Sequence, residues 1–303
     1  HGQGAETIMR AEALFYQGHV TDAHIELERA YAQVGGNGQI NMALCCDFLS
    51  WRLSLHTDVE RRYTFSERYA ALLRYHDASW INIWSATSAY YHALRGETDK
   101  IPEIFSQHRL SDIHLLAPGK PMMEMIENQV YLAQGAYAKV VGRSAELLAA
   151  CEAMHYALVA LHIRIQTAAA YARLGKPETA HTWLQKALSD AGPDGLVMPF
   201  AENYSLLKPL LARETRSAFA ARITALGEAA QARGAERLRP AAFRALTARE
   251  FEIVELMVQR LSNREIAQKC YLSEGSVKQY VNQIYSKLHI EGDTRTKRAQ
   301  LAA

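Results

Sequence analysis

The stretch "SEGSVKQYVNQIYSKL", Ser273 to Leu288, concentrates Lys278, Gln279 and Asn282 with the hydroxyls of Ser273, Ser276 and Ser286. These side chains are flexible hydrogen-bonding groups, and one of them is cationic. None sits in an arrangement that would activate a nucleophile. Amide and ammonium groups of this kind match the edges of bases and the oxygens of phosphates, so the chemistry they can do is recognition.

Such groups need a rigid element to present them. Val277, Val281, Ile284 and Leu288 recur at steps of four, three and four, the spacing of one apolar stripe on a helix capped by Ser273. Lys278, Gln279, Asn282 and Ser286 then fall on the opposite side. The preceding segment, Ser262 to about Lys269, has its own N-cap serine, an inward Ile266 and a small Ala267 that lets a second helix cross closely. Cys270, Tyr271 and Leu272 carry the chain between the two, giving a helix-turn-helix whose second helix fits a major groove. Upstream, "LTAREFEIVELMVQR" opens on a Thr247/Glu250 capping box and turns Phe251, Val254 and Met257/Val258 inward. Downstream, "DTRTKRAQLAA" forms a fourth, short helix. A polar outer face is also what ordinary solvation produces, so this pattern alone leaves DNA binding and a plain surface both open.

Residues 246–303 resemble the LuxR-type (FixJ or GerE-type) helix-turn-helix domain. The resemblance rests on Leu246, Thr247, Arg249, Glu250, the run Leu261 to Ala267, Leu272-Ser273, Ser276-Val277-Lys278, Asn282, Ile284-Tyr285, Lys287-Leu288 and Arg295-Thr296. It implies a duplex-DNA partner, with Lys278, Gln279 and Asn282 facing the groove, Arg264, Lys287 and Arg295 on phosphates, and Ser273 and Ser276 among the DNA-binding residues. It also implies a homodimer or higher oligomer on a two-half-site operator. Gln279 and Tyr280 depart from the usual family residues beside the reading face, so no operator sequence carries over.

Size and charge fit this reading without demanding it. The chain has 303 residues, enough for two or three domains, and a net charge of +2. Residues 240–303 hold 10 Lys/Arg against 7 Asp/Glu, a net +3, whereas the remainder holds 24 against 25, a net −1. A mildly basic tail on a neutral body suits DNA. No apolar run reaches the length of a membrane span and no secretion signal opens the chain, so a cytoplasmic protein with no membrane partner is expected. The four cysteines lack C-x-x-C spacing and read as small, reduced core residues. The sequence opens at His1, as expected of a processed or truncated chain.

The long front part carries a helical repeat. "ALFYQGHVTDAHIELERA" and "AAYARLGKPETAHTWLQKA" share a glycine that ends one helix and a second helix bearing Ala, Leu and Ala: Ala23, Leu27 and Ala30 after Gly18, and Ala180, Leu184 and Ala187 after Gly175. Weaker copies surround Gly96 (Ile101, Phe105) and Gly135 (Val140, Leu147), and the spacing calls for a further turn near Thr57-Asp58. Each helix pair leaves an apolar face that only its neighbours can bury, which builds a superhelix. The pattern resembles tetratricopeptide repeats, in the longer variant of the sensor region of the maltose regulator and its relatives, the large ATP-dependent LuxR regulators. "DGLVMPFAENYSLLKPLL" resembles the stretch between repeats and DNA-binding domain in those proteins.

Several chemistries find no support. No phosphate-binding G-x-x-x-x-G-K-[ST] occurs, the 12 histidines show no metal spacing, and no nucleophile elbow is present. The expectation is no enzyme, no cofactor and no metal.

The sequence therefore predicts an all-α chain: a superhelical array of tetratricopeptide-like helix pairs over 1–233, a linker at 234–240 around Gly234 and Pro240, and a four-helix LuxR-type helix-turn-helix domain over 241–303. The function it predicts is a DNA-binding transcriptional regulator whose array receives a small-molecule inducer or a regulatory protein. The alternative is a repeat scaffold whose terminal helices mediate protein contacts. Trp80, Trp84 and Tyr91, with Asn82 and His92 beside them, form the densest aromatic cluster and are expected to line a ligand or partner groove.

Overall fold

A computed structural model describes the chain apart from residues 1–3, 35–38, 59–62, 74–77, 114–116, 239–240, 244, 293–296, 299 and 302–303. The fold is all-α, with no strand among the described residues. The helices are α1 (Ala5–Tyr16), α2 (Val20–Val34), α3 (Ile40–Leu53), α4 (Phe65–Leu72), α5 (Ala78–Leu94), α6 (Glu103–Ser106), α7 (Lys120–Ala133), α8 (Tyr137–Ala153), α9 (Ala157–Arg173), α10 (Pro177–Ala191), α11 (Met198–Glu202), α12 (Tyr204–Leu211), α13 (Ala218–Leu238), α14 (Ala248–Val258), α15 (Asn263–Cys270) and α16 (Glu274–Lys287). The chain divides into two compact units, His1–Gln231 and Ala232–Ala303. Among the described residues no helix is long and apolar enough to cross a membrane.

In the first unit the sequence repeat becomes a repeated turn. Gly18, Gly96, Gly135 and Gly175 all have positive φ, between 69° and 81°. At each, the glycine N–H and the next N–H donate back to two carbonyls of the ending helix, as at Gly175 (to Ala172 O, 3.2 Å) and Lys176 (to Tyr171 O, 3.0 Å). Ala23, Ala30, Ala180 and Ala187 are fully buried, with Leu27 and Leu184 beside them. Small residues there let paired helices approach closely. His108 and His155 make the same left-handed turn without glycine. Near the expected turn at Thr57-Asp58, α3 ends at Leu53 and residues 54–58 form a turn and bend.

One feature departs from an array in which each pair touches only its neighbours. Phe15, Leu27 and Leu49 share a single core with Leu184, Met198, Phe200 and Ile223. The seam is also hydrogen-bonded: Gln17 Nε2 donates to Asp194 O at 3.2 Å, and Arg222 Nη2 donates to Gln17 O at 3.0 Å. The first helices of this unit are thus packed against its last ones.

A buried polar centre lies on the same seam. The Arg52 guanidinium donates to Glu202 through Nε (2.7 Å) and Nη2 (2.9 Å), and through Nη1 to the Tyr16 hydroxyl (2.8 Å). Tyr90 donates its hydroxyl to Glu202 Oε2 at 3.0 Å. The rings of Phe15, Tyr16, Phe48 and Tyr90 surround the guanidinium, with centroids 4.6–5.7 Å away. Burial, and then the Arg52 charge, push the neighbouring His162 down to about 4.

The aromatic groove expected on α5 is corrected by the packing of α4. Tyr91 is 5% exposed, with its ring 4.7 Å from Trp51 and 5.8 Å from Phe65. Trp84 donates Nε1 to Phe65 O at 3.1 Å and stacks obliquely on Tyr69. His92 pairs with Glu97 at 2.8 Å. Phe65 fills the space among Trp51, Trp84, Tyr91 and His92, because large rings on one helix are an efficient way to bury a short amphipathic one. Trp80 and Asn82, nearer the start of α5, are half-buried.

Residues 234–238, expected in a linker, are helical and form the last turns of α13. The Ala- and Arg-rich sequence sustains the helix through Gly234, and Pro240 follows its end.

Candidate nucleic-acid interface

The second unit is assembled by its caps. Thr247 Oγ1 accepts from Glu250 N–H (3.2 Å) while Glu250 accepts from Thr247 N–H (2.7 Å), and Ser262 and Glu265 repeat the box at the start of α15 (3.3 and 2.7 Å). Ser273 caps α16 by accepting from Ser276 N–H at 3.0 Å. All three caps carry a signal in the sequence: Thr247 fixes the start of α14, and Ser262 and Ser273 fix the starts of the two helices that flank the turn. The turn itself is held by Arg249, which donates to Cys270 O, and by Tyr271 in the left-handed conformation (φ 54°).

The core lies beneath α16. Val277, Val281 and Ile284 are buried with Ile266, Ala267 and Cys270 from α15 and Ile253, Val254 and Met257 from α14. Leu288 and Phe251 are partly buried against this core, and Val258 is 43% exposed, so Met257 is the inward residue of that pair. Leu301 joins the core from the C-terminal turn. Tyr285 of α16 is buried in the same core, and the opposite side of the helix is exposed.

Lys278, Gln279 and Asn282 are exposed on that surface, as are Ser273 and Ser286, while Ser276 is half-buried. Lys278 Nζ lies 3.6 Å from Glu274, one turn earlier on the same helix. Both side chains are largely exposed, so this pair is weak and leaves the ammonium free to change partners. Gln283, four residues after Gln279, is exposed on the same helix, where the period of the helix alone does not separate it from ordinary solvated surface.

The residues expected on phosphates divide. Arg264 is exposed on α15. Lys287 is committed internally: its Nζ lies 2.8 Å from Oε2 of Glu250, a residue only 3% exposed. Burial works against the Glu250 carboxylate, yet hydrogen bonds from Lys287 and Thr247 keep its pKa below the ordinary range. Lys287 therefore joins α16 to the cap of α14, a role not evident in sequence because the partners are 37 positions apart. Arg295 lies outside the described residues. Arg298 donates to Leu261 O at 2.8 Å and anchors the C-terminal turn beside the start of α15.

The comparisons with known proteins concern this unit. Residues 244–298 match the family described as bacterial regulatory proteins, luxR family. A stretch of 50 residues is 44% identical to the transcriptional regulatory protein LnrK of Bacillus subtilis, covering 16% of this chain and 23% of that protein. The chain thus spans about a quarter of the length of the curated relative it matches. No solved structure matches the chain. The C-terminal unit is a LuxR-family helix-turn-helix domain.

Proposed function

We propose that the chain is a DNA-binding transcriptional regulator in which the helical unit, read as a tetratricopeptide-like sensor, receives a small-molecule or protein signal and controls the helix-turn-helix. The observation that carries this reading is the face of α16: Lys278, Gln279 and Asn282 exposed together on a helix whose start, turn and apolar underside are fixed by caps and core. A helix pre-ordered in this way enters a major groove at little conformational cost. Ser273 and Ser276 at its N-terminus and Arg264 on α15 position the backbone, and two copies engage two half-sites. In this reading the protein works in the cytoplasm and carries out no catalysis.

The test is fluorescence anisotropy with a genomic DNA fragment selected by the full chain, repeated across salt concentrations. Binding releases counterions, so log K falls linearly with log salt, with a slope of about −0.9 per phosphate neutralised. Salt-independent binding, or none, would favour the repeat-scaffold alternative.

A further inference from the structure

The first unit contains a cleft of about 1100 Å3 between the end of α1 and the facing parts of α8, α9 and α10. That volume slightly exceeds the usual range of about 300–1000 Å3 for small-ligand sites. Its floor is apolar, with Leu148, Leu158 and Leu161 among several alanines. Tyr16 and Tyr156 contribute two half-buried rings. The charges around it are of both signs. Arg164 and Asp190 neutralise one another at 3.0 Å. Glu152, Asp194 and Lys186 carry no side-chain ion pair among the described residues, although all three line the cleft. The cleft therefore combines an apolar trough, two unengaged carboxylates and one unengaged ammonium.

We propose that this cleft binds a small zwitterion with an apolar body, namely an amino acid or short peptide with free ends. The ligand ammonium is taken by Glu152 and Asp194, its carboxylate by Lys186, and its side chains by the leucine and alanine floor. A neutral polyol would leave these charges unmatched, and a molecule of single charge would meet a repelling group as well as an attracting one. The binding step stands on the cleft alone; its consequence for DNA rests on the sensor reading above. That consequence would pass through Tyr16, whose ring lines the cleft while its hydroxyl accepts from Arg52 in the buried centre.

The test is isothermal titration of the full chain with trileucine, N-acetyl-trileucine and trileucine amide, and with a neutral trisaccharide. Free trileucine is expected to bind one to one, and capping either end to weaken binding by about tenfold or more, a single well-placed charge interaction's worth. Lys186→Ala should abolish the discrimination against the amide, and Glu152→Gln should reduce that against the acetylated peptide. Both residues are exposed, so neither change should move the melting temperature of the free protein. Equal binding of free and capped peptides, no binding of free trileucine, or preferential binding of the trisaccharide would overturn the proposal. If trileucine binds with this pattern yet leaves DNA affinity unchanged, the cleft assignment stands and the sensor reading fails.

Discussion

Arg52 and Glu202, 150 residues apart in sequence, form a bidentate ion pair with side chains only 3% and 0% exposed. Such a pair is costly to desolvate, and what it contributes depends on both partners being present. Replacing Arg52 by Met should therefore cost about 3–5 kcal/mol, because the Glu202 carboxylate is left buried and uncompensated. Replacing both, Arg52→Met with Glu202→Leu, should recover much of that loss. Urea denaturation of the two variants against the parent measures the difference.

His162 gives the first unit a pH dependence. Its folded value of about 4 lies below the usual 6.5, so between these values the unfolded chain binds a proton that the folded chain does not. Stability is then unaffected above about pH 6.5 and falls as the pH drops toward 4, by up to about 1.4 kcal/mol per unit. A His162→Gln variant should show a flatter profile over this window. Chemical denaturation at pH 7.5, 6, 5 and 4.5 checks it.

Two lysines on α16 should behave differently when changed to alanine. Lys278 has only an exposed partner at 3.6 Å, so its loss should leave melting unchanged and weaken DNA binding by about 1–3 kcal/mol if it reaches a base edge. Lys287 supports the buried Glu250, so its loss should lower the stability of the C-terminal unit by about 1–2 kcal/mol. Parallel melting and anisotropy measurements separate the two outcomes.

Gly227 lies within α13 against Tyr204: a β-carbon built there would sit 2.2 Å from the tyrosine Cγ. The obstruction is the root of a buried ring, which has little room to yield. Gly227→Ala should destabilise the first unit by about 1–3 kcal/mol, although alanine is the better helix former. A urea midpoint lower than that of the parent is the expected result.

The sequence made the second unit legible because its signals are local. Thr247 and Ser273 announce caps, and Val277, Val281 and Ile284 announce an inward stripe. The repeat positions Ala23, Leu27, Ala180 and Leu184 were equally readable, since their spacing encodes burial. Long-range features were not. Nothing near Arg52 or Lys287 indicates the carboxylate that holds it. Periodicity shows that Trp84 and Tyr91 lie on one helix near the same face without showing that Phe65 packs against both. Tyr271 was also opaque: 96% exposed and left-handed, it performs a turn that glycine would normally make, which no propensity scale would assign to tyrosine.

The seam joining α1 and α3 to α11 also shapes how the chain acquires its structure. A solenoid can grow helix pair by helix pair as it leaves the ribosome, each pair stabilised by the one before. Here Arg52 must wait for Glu202, which at ordinary synthesis rates of about 5–20 residues per second is a delay of about 8–30 s. During that interval Phe15 and the other rings meant for the shared core lack their final partners. The nascent first helices are therefore natural clients for a chaperone, and the finished unit should melt in one cooperative step instead of fraying from an end.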